Sequence, residues 1–163
     1  MTVPEGSPGV TTRSGKRGGE GEVTLPIPAL LAQAKDLMVH QLHRRLAAEG
    51  FEGIRYRHGS VFRFIDPEGS RLTVLAERSG LTKQALGEVV TELERYGYVE
   101  RTADPNDRRA KIIRLTDEGR KGQLAAARIL KDIEQEWARH LGQDRITALR
   151  RTLEEVIGLE TAR

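Results

Sequence analysis

Two groups of side chains in this sequence have the types and spacing for contact with duplex nucleic acid. Lys83, Gln84, Gly87, Glu88 and Thr91 recur on one side of an amphipathic run, and Asp107, Arg108, Arg109 and Lys111 cluster in a charged turn downstream. From a helix surface Lys83 would donate to guanine O6 and N7, Gln84 would pair with adenine N6 and N7, and Glu88 would accept from cytosine N4. Gly87 would let a groove edge come close, Thr82 would cap the helix or meet a phosphate, and Thr91 would lie behind. The turn is the more cationic of the two. Residues 100–115 hold five basic and three acidic side chains, so two of the chain's three net positive charges fall there.

The elements that must position these groups follow from local rules. Thr73 is suited to cap a first helix, over 73–79, and Leu75 and Ala76 begin its apolar face. Gly80 stops it, because a residue just past a helix end often needs a left-handed backbone, and Leu81 follows as the hydrophobic contact. A second helix over 82–96 carries Leu86, Val89, Val90 and Leu93 as an inward stripe. A small residue at Ala76, glycine at Gly80, and apolar Leu86 and Val89 match the spacing of helix-turn-helix units, although Ser79 stands where such units usually carry an apolar residue. Over 98–115, Tyr98 to Thr102 alternates, Asp104-Pro105-Asn106-Asp107 is turn chemistry, and Ile112 and Ile113 supply the returning strand. The expected fold is mainly α with a small β element: a winged helix-turn-helix.

The segment DPNDRRAKIIRLTDEG resembles the wing of the MarR family (multiple antibiotic resistance regulators), in which D-x-R is followed by L-T and a later G. Asp107, Arg109, Leu115, Thr116 and Gly119 fill those places. The resemblance runs from about Leu25 to Ile157. It implies a homodimeric regulator, most often a repressor released by a ligand, with N- and C-terminal helices interleaving with a second copy. It also implies that Arg109 enters the minor groove while Asp107 steadies it, with Arg108 and Lys111 on phosphates. Two-fold symmetry would place the second helices about 34 Å apart on an inverted repeat. Family members often hold small aromatic acids or phenols near the segment Arg55, Tyr56, His58 and Phe62. The alternative is a winged-helix interaction or architectural module with no sequence-selective DNA binding.

The flanks suit this organisation. Residues 1–23 contain six glycines and two prolines with almost no large apolar groups, so they are expected to form a disordered tail. Within 24–50, Leu30, Leu31, Ala34, Leu37, Met38, Leu42 and Leu46 recur at helical spacing, with Pro28 in the first turn and Gly50 at the end. Residues 51–116 hold the DNA-binding region. Over 117–158, Thr116 caps a long helix with Leu130, Ile133, Trp137 and Leu141 as its stripe, Gly142 breaks it, and a last helix carries Ile146, Leu149, Leu153, Val156 and Ile157.

Other chemistries find little support. The chain has no cysteine, which excludes a disulfide, a thiolate zinc site and a thiol redox sensor. His58 and Ser60 are too close in sequence to serve as base and nucleophile, no G-x-S-x-G elbow exists, and no glycine-rich phosphate loop follows a strand. His40 and His43 stand one helical turn apart without a third ligand. We therefore expect no enzyme activity, no cofactor and no metal. No apolar run reaches the roughly 20 residues of a membrane-spanning helix, and the expected compartment is the cytoplasm.

Overall fold

The computed structural model describes residues 24–161. The tail over 1–23 lies outside them. Helix α1 (Ile27–Ala48) carries proline in its first turn and ends where Gly50, at φ +90°, turns the chain so that the Phe51 amide donates to the Leu46 carbonyl at 2.9 Å. A 3-10 turn (Tyr56–His58) leads into the short α2 (Gly59–Phe62), and strand β1 (Ser70–Arg71) opens directly into α3 (Leu72–Ser79). Then come α4 (Lys83–Arg95), β2 (Val99–Asp104), β3 (Asp107–Leu115), α5 (Asp117–Leu141) and α6 (Gln143–Thr161).

The sheet has three antiparallel strands in the order β1-β3-β2, with Arg101 opposite Ile113 and Ser70 opposite Ile113 on the other side. This is the mostly helical winged fold the sequence implied. One local expectation changes. Helix α3 starts at Leu72, and Arg71 is its cap residue, so Thr73 is exposed inside the first turn rather than capping it. The cause is long-range, since pairing of Ser70 and Arg71 with β3 sets the angle at which the chain enters α3. Gly80 does end this helix with a left-handed backbone (φ +68°), and the Ser79 hydroxyl donates to the Ala76 carbonyl at 3.2 Å.

Two apolar clusters hold the molecule together. One joins Val61, Leu75, Leu86, Val89, Val90, Leu93, Tyr98, Val99 and Ile113 beneath the winged unit. The other joins Leu46 of α1 to Ala125, Ile129 and Ile133 of α5, with Met38, Leu42 and Trp137 at its edge. Phe51 and Ile54 touch both and so connect the winged unit to the flanking helices. The buried stripe of α5 therefore differs from the expected one: Gly122, Ala125, Ile129 and Ile133 face inward, while Leu141 is exposed and Leu130 and Trp137 are half-buried. Small side chains decide this phase. At Gly122 an added Cβ would lie 3.4 Å from both Ile54 and Phe51, so the close approach of α5 to that loop selects the glycine face.

Helices α1 and α6 leave apolar side chains in solvent. Ile27, Leu30, Leu31 and Leu37 on the first, and Leu149, Val156, Ile157 and Leu159 on the second, are all exposed.

Candidate nucleic-acid interface

Helix α4 is anchored from within and open without. Thr82 accepts a hydrogen bond from the Ala85 amide (3.2 Å), which satisfies an otherwise orphaned donor and starts the helix. Leu86, Val89, Val90 and Leu93 are buried, and this leaves Lys83, Gln84 and Glu88 on the exposed side with no hydrogen-bond or ion-pair partner among the described residues. Gly87 lies at the edge of that face, half-buried, where an added Cβ would only touch Leu72 at 3.9 Å.

Thr91 differs from the others. Its hydroxyl donates to the Gly87 carbonyl (2.8 Å) and accepts from Arg101 (3.0 Å), whose guanidinium also pairs with Glu94. Thr91 and Glu94 thus tie α4 to β2, a role that spacing alone did not show.

The wing tip is built by two aspartates with different tasks. Asp107 accepts from the Arg109 amide at 3.0 Å, so it steadies the backbone that carries the arginine rather than the guanidinium. The Arg109 and Lys111 side chains are exposed and, among the described residues, unpaired. Arg108 lies in β3, and its side chain is outside the described set.

Asp104, which the sequence showed only as turn chemistry, is 4% exposed. Its carboxylate accepts from the Asn106 amide (2.8 Å) and from Arg71, at Nε (2.6 Å) and at a terminal nitrogen (2.5 Å). The Asn106 amide first, and then Arg71, hold its pKa below the ordinary 3.8 despite burial. A depressed carboxylate stabilises the fold above its unfolded pKa and withdraws that stability as pH falls through the folded value. Asp104→Asn keeps the shape and removes the charge, so it should lower Tm by ~5 °C at neutral pH and flatten the acid limb of the Tm-versus-pH curve. A wild-type Tm in differential scanning calorimetry would contradict this role.

The four residues expected near an effector face different surroundings. Tyr56 is exposed with the Lys35 ammonium 5.1 Å from its ring centroid, and Arg55 is exposed. Phe62 packs edge-on to Tyr98 at 6.3 Å. His58 is fully buried, its ring nitrogens engaged by the Arg55 amide and by Glu92. A cleft of about 520 Å3 at the base of the wing is lined by Glu68, Glu100, Arg114, Thr116, Asp117 and Arg120 among others, and by none of these four. No group of three metal-ligating side chains is gathered among the described residues.

Comparison with known proteins places this arrangement. Residues 52–110 match the family model described as MarR family. The transcriptional regulator HosA of Escherichia coli O111:H- is 35% identical over 72 residues, 44% of this chain and 53% of that protein, so the match spans about half the length of this curated relative. The structure of CouR from Rhodococcus jostii RHA1 bound to p-coumaroyl-CoA is similar with a TM-score of 0.60 and 28% identity, covering 80% of this chain and 90% of that one. Streptococcus pneumoniae FabT in complex with DNA shares the fold at a TM-score of 0.69 and 19% identity, over 84% and 97% of the two chains.

Proposed function

We propose, from the premise that residues 52–110 are a MarR-family winged helix-turn-helix, that this chain is a DNA-binding transcriptional regulator with no catalytic step of its own. The observation that carries the reading is the pairing of an exposed, unpartnered polar face on α4 with an exposed, unpaired Arg109 on the wing. Buried or self-paired side chains would have been unavailable to bases. That FabT, which shares the fold, is a DNA complex supports it.

In this reading Lys83 and Gln84 meet base edges in the major groove, Gly87 and Glu88 line the approach, and Thr82 and Thr91 hold the helix in place. Arg109 enters the minor groove, where narrow A·T-rich stretches concentrate negative potential, while Arg108 and Lys111 contact phosphates. The exposed apolar faces of α1 and α6 are covered by a second copy, and the two-fold dimer binds an inverted repeat. The regulator acts as a repressor and is released by a small aromatic or phenolic ligand; the ligand of CouR supports this class. Such a ligand would meet Arg55 and Tyr56 from solvent, beside His58 and Phe62. No helix among the described residues is long and apolar enough to cross a membrane, and we place the protein in the cytoplasm.

Selection of bound fragments from the organism's genomic DNA in the presence of competitor tests the whole reading. A palindromic consensus, with a dimer by analytical ultracentrifugation at micromolar concentration, is the expected result. Recovery of fragments with no shared sequence would favour an architectural or protein-interaction module instead.

A further inference from the structure

His58 is the only histidine among the described residues that is fully buried, and its hydrogen bonds reveal its proton. The Arg55 amide donates to Nδ1 at 3.0 Å, so Nδ1 must carry a lone pair. The ring is then neutral, with its proton on Nε2, which donates to Glu92 at 2.9 Å. Glu92 belongs to α4 and is also paired with Arg57. The 3-10 turn that follows α1 is thereby joined to α4 by the Arg57–Glu92 ion pair and by one uncharged imidazole, and only the imidazole also fixes the Arg55 amide. A protonated ring would set its Nδ1–H against the Arg55 N–H, two donors facing each other, and one of them would have to leave.

We propose that His58 is a positioning residue for α4 whose protonation withdraws that support, so that DNA affinity falls as the solution is acidified. This rests on the DNA-binding reading above. The groups around the ring favour its neutral form: Arg55 and Arg57 are cationic neighbours on its own segment, and His43 of α1, itself near His40, repels a second charge. Glu92 is the acidic partner and opposes them. Burial outweighs Glu92, and the pKa of His58 lies below the ordinary 6.5. An unfolded or released ring therefore takes up a proton before the anchored one does, so the anchored geometry holds above 6.5 and is lost as pH falls below it.

Ordinary electrostatics predicts the opposite trend, because acidification makes the chain more positive and draws it to phosphates. The test uses a duplex selected from random-sequence DNA at about pH 8. Its affinity is measured by fluorescence anisotropy from there to about pH 5.5 at constant ionic strength, for the wild type, His58→Gln and His43→Gln. The wild type should lose about tenfold, His43→Gln should lose affinity likewise with its midpoint at or above that of the wild type, and His58→Gln should lose less than about twofold. A wild-type affinity that rises or stays level, or a His58→Gln profile matching the wild type, overturns the proposal.

Ring C–H resonances of the DNA-free chain give an independent reading. The proposal requires His58 to titrate below 6.5, with the amides of Glu92 and Leu93 shifting at the same midpoint. A higher midpoint, or silent α4 amides, overturns it even if no duplex binds. Failure of every selected duplex at about pH 8 with a low ring midpoint and shifting amides sinks the DNA reading alone and leaves the positioning role supported.

Discussion

Gly119→Ala is expected to destabilise the protein by about 3 kcal/mol, enough to lower Tm by roughly 10 °C. A Cβ built at Gly119 falls 1.9 Å from the carbonyl oxygen of Tyr98 and 3.3 Å from Leu115. The first obstacle is backbone, and it cannot rotate away as a side chain would. That carbonyl also accepts from the Thr116 amide at 3.1 Å, while the Thr116 hydroxyl donates to the Gly97 carbonyl and accepts from the Gly119 amide. The start of α5 is thus docked onto Gly97 and Tyr98, just before β2, through two hydrogen bonds and one absent methyl group. Alanine ordinarily favours a helix over glycine by about 1 kcal/mol, an effect far smaller than this overlap. Gly158, in open space within α6, is the matched control: its replacement by alanine should raise or preserve Tm. Calorimetry that finds both variants at or above the wild-type Tm would refute the docking of α5 on Tyr98.

Arg109→Ala should weaken DNA binding by about 1–3 kcal/mol, on the order of 5- to 150-fold in Kd, with Tm unchanged. The two halves of this expectation have separate grounds. Stability is indifferent because the side chain is exposed and makes no ion pair among the described residues. Affinity is sensitive because Asp107 fixes the Arg109 backbone and Asp104, held by Arg71, fixes the turn before it, so little ordering remains to be done on binding. Lys111→Ala, by contrast, should weaken all sequences alike and reduce the salt slope by about one. Equal affinity of Arg109→Ala and wild type at physiological salt would remove the wing from the interface.

The difference between these arginines and the other cations of the region shows how much of the site was legible beforehand. Lys83, Gln84 and Arg109 stood out in the sequence by type and spacing, and the structure places all three in solvent. Thr91 was read as lying behind Lys83 and Gln84 on the same face, and its hydroxyl is taken by Arg101, ten residues away across the turn into β2. His58 was read as a wall of an effector cleft, and its bond to Glu92, 34 positions on, could not be seen from spacing. Asp104 was read as a turn former and proves to be the acceptor for Arg71, 33 positions before it.

What the chain decides locally is visible residue by residue. Thr82 and Thr116 cap because a hydroxyl reaches an amide three residues on, Gly80 and Gly142 end helices because only they take a positive φ cheaply, and the apolar period of α4 needs no knowledge of its neighbours. Each of these acts within one or two helical turns. Tertiary structure alone decided that Ser70 and Arg71 form a third strand, that α5 turns Ala125, Ile129 and Ile133 rather than Leu130 and Leu141 toward α1, and that polar groups far apart in sequence share protons and charges. The physical reason is that such partners become neighbours only after loops of tens of residues close, and that choice is made by the packing of the whole chain.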